Sequence, residues 1–80
     1  MYIKYKNSIM NVKKYESIVK VSTDEILLWV DNHNNVMKFI DFETRNWVFS
    51  HIWMQLKADV KFLDLDEDIE TYNTTEKFNI

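Results

Sequence analysis

Residues 44–58 carry two apolar faces on a single helix-spaced segment, and one sheet cannot satisfy both. At about 100° per residue, Val48, Phe49, Ile52, Trp53 and Leu56 fall on one arc. That arc is the stripe a helix buries against a core. Trp47, Met54 and Ala58 fall on nearly the opposite side, bordered by Ser50, His51, Gln55 and Lys57. The second face needs a further layer. Either the chain's own C-terminal arm folds back, through Val60, Phe62, Tyr72 or Phe78, or a partner covers Trp47 and Met54.

The residues before this helix read as strands. Residues 2–6 alternate, with Ile3 and Tyr5 sharing a face, and 9–12 is a second short candidate. Residues 16–22 (ESIVKVS) are β-branched and alternating, and Thr23-Asp24-Glu25 turns the chain. Residues 26–31 (ILLWVD) are nearly all apolar, as in a central strand covered on both faces. Residues 36–42 (VMKFIDF) follow the loop Asn32-His33-Asn34-Asn35, which makes the pair a β-hairpin. The helix over 44–58 takes Asp41 or Thr44 as its cap. A strand or arm over 59–65 comes next. The expected fold is therefore α+β, an antiparallel sheet of four to five strands packed by one helix. It forms a single domain over 1–65, and 66–80 are an acidic C-terminal tail or arm.

Eighty residues without Gly, Pro or Cys narrow the choices further. Positive-φ turn positions fall to eight Asn residues, helped by Asp. No disulfide or thiolate metal site is possible. Twelve aromatics supply enough apolar area for a chain of this size to fold. The longest apolar run, 26–30, is too short to cross a bilayer, and no signal peptide is visible. A cytoplasmic protein with no membrane association is expected.

Opening on MYIKYKNSIMNV, continuing through the hairpin ILLWVDNHNNVMKFIDF and closing on the amphipathic helix, residues 1–58 resemble a family of small bacterial and phage-borne ββββα proteins. Their half-barrel is related in shape to pleckstrin-homology domains. The likeness implies a fold and carries over no functional residue.

Charge is uneven. Residues 1–40 hold six Lys against four acids (+2), and residues 41–80 hold four bases against nine acids (−5), for a net −3. This balance disfavours direct nucleic-acid binding, although Lys4, Lys6, Lys13, Lys14 and Lys20 with Tyr2, Tyr5 and Tyr15 could form a stacking surface. In extended chain, Asp64, Asp66, Asp68 and Glu70 would line one edge as an acidic comb. As a calcium loop counted from Asp64 the segment fails. Its sixth position is Ile69 instead of Gly, and its twelfth is Thr75 instead of Glu. No cofactor or metal site is expected. His33 and His51 sit in no nucleophile or acid–base motif, so the chain reads as a non-enzyme.

The expected function is binding of another protein, with Trp47, Met54 and His51 as the anchor and Asp64, Asp66, Asp68 and Glu70 meeting basic side chains. By size and acidity the chain is similar to phage-encoded inhibitors of the anti-CRISPR and anti-defence type, which block a basic or nucleic-acid-binding surface. Two alternatives come from other classes. One is a homodimeric assembly protein that uses the second helix face. The other is a small-ligand binder that stacks a nucleotide base on Trp29, Tyr15 or Trp47.

Overall fold

The computed structural model describes residues 1–13, 18–30 and 33–76. In chain order the elements are β1 (Tyr2–Tyr5), β2 (Ser8–Asn11), β3 (Ile18–Val21), β4 (Glu25–Val30), β5 (His33–Lys38), α1 (Phe42–Lys57), β6 (Phe62–Asp64) and α2 (Leu65–Thr71). A π-helical turn, Tyr72–Glu76, follows α2. The α+β class, the antiparallel hairpins and the main helix are as the sequence predicts. Residues 16 and 17 of the expected third strand lie outside the described residues.

The strands divide into two sheets where one was expected. Their orders are β2-β1-β6 and β3-β4-β5. In the first, β1 pairs antiparallel with β2 and parallel with β6, in the register Ile3↔Leu63. The expected strand or arm over 59–65 is thus a third strand on the free edge of β1. In the second sheet β4 is central and antiparallel to both neighbours, with Leu27 opposite Val19 on one side and Val36 on the other. The hairpin register sets Val30 against His33. The strand therefore begins at His33, earlier than the expected 36.

Helix α1 lies against β4, and α2 lies against β1. Ile3, Val12, Ile26, Leu28, Val48, Ile52 and Leu65 are fully buried between these layers. Each large side chain contributes about 1.5–3 kcal/mol by leaving water. The buried stripe of α1 is narrower than expected and starts earlier, running Thr44, Arg45, Val48, Ile52 at helical spacing. Trp53, expected in the core, is 41% exposed. It lies one 100° step beyond Ile52 and leans on Phe49 at a ring-centroid distance of 6.2 Å. Arg45 reaches the other way, donating to the Ser22 carbonyl at 3.2 Å with its guanidinium 5.4 Å from the Phe42 ring centre.

Without Gly, positive φ falls among the described residues on Lys6, Ser22 and Asp59 rather than on Asn. Lys6 follows Tyr5 in the two-residue β1–β2 turn, the first central position of a type II′ hairpin. Asp59 closes α1. Its N–H donates to Leu56 O and the Val60 N–H to Gln55 O, both at 3.1 Å. These are the two bonds of a Schellman motif, with Asp in the place glycine usually takes. At the other end Asp41 is the cap, its side chain accepting from the Thr44 N–H at 2.8 Å.

Candidate interaction surfaces

The second face of α1 does not survive as a unit. Trp47 is half-buried, with its ring stacked near-parallel on His51 at 4.6 Å and on Tyr72 at 4.5 Å. Its Nε1–H donates to Glu76 Oε2 at 3.1 Å. The C-terminal arm thus covers Trp47 through Tyr72. Met54, two turns along the same face, stays 66% exposed. An anchor made of Trp47 and Met54 together would require Tyr72 and Glu76 to leave.

The acidic segment is also rearranged. Residues 65–71 are helical, so alternate carboxylates point about 200° apart instead of sharing an edge. Asp64 caps α2, accepting from the Glu67 N–H at 3.2 Å. Asp66 turns toward β1, where it accepts from Lys4 Nζ at 3.0 Å and from the Lys6 N–H at 2.9 Å. Asp68 faces α1 and accepts from His51 Nε2–H at 2.9 Å; an ionised carboxylate has no proton to give. Glu70 is exposed. Helix α2 forms here because Asp64 caps it and Asp66, Glu67 and Asp68 place negative charge in its first turn. That capping pattern was visible in the sequence, but the alternation of acids obscured it.

Electrostatics follow this geometry. Burial pushes the Asp66 carboxyl up. The Lys6 N–H, the Lys4 hydrogen bond and the two lysine charges outweigh it, and the group ends below the usual carboxylate range. Lys4 is raised, first by its hydrogen bond to Asp66 and further by the charges of Asp64 and Asp66. Tyr5 is raised by burial and then by the Asp66 charge.

Three of the lysines suggested for nucleic acid have neighbours within the chain. Lys4 is spent on Asp66 and Asp64, Lys20 sits 4.8 Å above the Phe49 ring, and Lys6 lies 5.3 Å from the Tyr5 ring centre. Lys14, Tyr15 and Phe78 lie outside the described residues.

Sequence reasoning missed the outer face of β3-β4-β5. Strand β4 was expected to be covered on both sides. Its inward residues Ile26, Leu28 and Val30 are buried, while of the outward ones Leu27 is half-buried and Trp29 is exposed. Val19, Leu27 and Val36 form a row straight across the three strands, and Trp29 stands next to Leu27 on the same face, 50% exposed. The signal was present in the five-residue apolar run 26–30 within a chain that has one main helix to cover it.

Comparison with protein-family models, with curated proteins and with solved structures gave no match for this chain.

Proposed function

We propose that this chain is a small non-catalytic protein that acts by binding another protein. The observation that carries the proposal is the apolar row Val19–Leu27–Val36 with Trp29 beside it, of which Val19, Val36 and Trp29 are exposed among the described residues. Tryptophan on a flat apolar patch is the residue type most often found as an interface hot spot, and contiguous exposed apolar patches mark interaction sites. The binding surface is thereby moved from α1 to the sheet.

The specific form we favour is a phage-type inhibitor, of the anti-CRISPR or anti-defence kind, acting on a basic surface of a nucleic-acid-handling enzyme. The acid surplus of residues 41–80 supports this form, with Glu67 and Glu70 exposed on α2 after Asp64, Asp66 and Asp68 have found partners inside the chain. Affinity that falls as salt is added supports the electrostatic part; affinity indifferent to salt removes it.

The test of the surface is Trp29→Glu. It leaves the thermal midpoint nearly unchanged while abolishing partner capture. Capture that survives the substitution refutes the assignment. If sedimentation shows a wild-type dimer that Trp29→Glu dissociates, a second copy covers the face and the homo-oligomeric reading replaces the inhibitor.

A further inference from the structure

A groove runs between the two sheets, and its walls are strand edges. Strand β2 ends the order β2-β1-β6 and β5 ends the order β3-β4-β5, so among the described residues neither has a strand on its outer side. The two edges run side by side in opposite directions: Ser8 lies at the Lys38 end and Asn11 at the His33 end. One cavity of about 400 Å³ fills the Ser8–Lys38 end, and a second of about 230 Å³ continues it toward Asn11 and His33. The larger volume falls within the range of ligand clefts. Its floor is apolar, formed by the buried Met10 and Met37.

An unpaired strand edge presents a row of N–H and C=O groups that a further strand can pair with. Here two edges face one cleft, so one extended segment can pair on both sides and join the two sheets. The Ser8–Lys38 end is bounded by the Tyr5 hydroxyl, which donates to the Lys38 carbonyl at 3.1 Å. Lys6 and Lys38 flank that boundary. The Lys38 ammonium has a distant pairing with Asp24 at 3.9 Å, and the Lys6 ammonium lies over the Tyr5 ring. We propose that the groove is a binding site for an extended peptide strand of a partner protein, with a carboxylate at its Lys6–Lys38 end. Main-chain pairing supplies the affinity, an apolar side chain seats on Met10 and Met37, and the two lysines set the preference for an acidic segment. The groove borders the Trp29 face at Asn34 and Val36, but pairing along the strand edges does not require the Trp29 side chain.

The test is a two-dimensional amide NMR titration of the full chain with acetyl-Glu-Val-Thr-Val-Thr-Val-Glu-amide. Shifts and slowed hydrogen exchange confined to the amides of Ser8–Asn11 and His33–Lys38 are expected. A peptide N-methylated at alternate amides should not bind. Lys38→Glu, at an exposed position, should weaken the acidic peptide about fivefold and improve a peptide with Lys in place of both Glu. Trp29→Glu should leave the titration unchanged. The proposal is overturned if millimolar peptide moves no edge amide, if the N-methylated peptide binds as well, or if the shifts map to Val19 and Leu27. It is also overturned if the edge amides move with protein concentration alone, because a second copy then fills the groove.

Discussion

Asp59 occupies a backbone position that costs most side chains about 1 kcal/mol or more, with φ 59° and two Schellman bonds around it. Replacing it with glycine removes that strain and gives up only an exposed pairing with Lys61, which is worth little. Asp59→Gly should raise stability by about 1 kcal/mol, read as a higher thermal midpoint. Asp66 makes the opposite case. Its folded carboxyl lies below the ordinary range, so its contribution is present above the unfolded pKa and is lost as pH falls through the folded value. Asp66→Asn should cost about 1 kcal/mol at neutral pH, the size of partly screened charge-assisted bonds. In urea titrations the gap from wild type should close in acid. A gap independent of pH would mean that the side chain acts through packing alone. The cap on α1 was legible as Asp41 or Thr44, since either residue can accept from a free helical N–H. The positive-φ positions were not legible, because Lys6 and Ser22 carry no local preference for them. Tertiary bonds hold at least Lys6 in place, its N–H donating to Asp66 sixty residues along the chain.

Among the elements, α1 shows how far periodicity reaches. It identified the helix and the Val48–Ile52 spine, but it drew the buried arc too wide, so Trp53 lies on the flank. Ile52→Ala should cost about 2–5 kcal/mol, and Trp53→Ala only about 1 kcal/mol; equal costs in denaturant unfolding would restore Trp53 to the core. The C-terminal segment was harder to read. Alternating acids suggested an extended comb, while the cap at Asp64 and the acidic first turn favoured a short helix. The helix prevails because it docks on β1 through Leu65 and pairs Asp66 with Lys4 and Asp68 with His51. Those partners are remote in sequence. Tyr72→Ala should uncover Trp47, shifting its fluorescence to the red and costing about 2–4 kcal/mol. An unshifted spectrum would show that Tyr72 does not shield the ring.

At the scale of the molecule, the missing layer over Trp47 was legible in the sequence, with the C-terminal arm as one of its two candidate covers. Two apolar faces on α1 implied a missing layer, and the chain supplies that layer over Trp47 through Tyr72 and Glu76 while Met54 stays exposed. Among the described residues, Val19, Trp29 and Val36 are exposed on the back of β3-β4-β5, where a strand apolar on both sides meets one main helix. Split sheets were not legible, because the pairing of β6 with β1 joins residues some sixty apart and leaves no local mark. No helix among the described residues is long and apolar enough to cross a membrane. The proposal that the Trp29 face binds a protein is the central one. Its most direct measurement is capture from source-cell lysate by three forms of the chain: wild type, Trp29→Glu and Trp47→Ala. One protein should be retained by wild type and Trp47→Ala and lost with Trp29→Glu. Loss with Trp47→Ala alone, in a chain that still folds, would return the binding surface to α1 and contradict it.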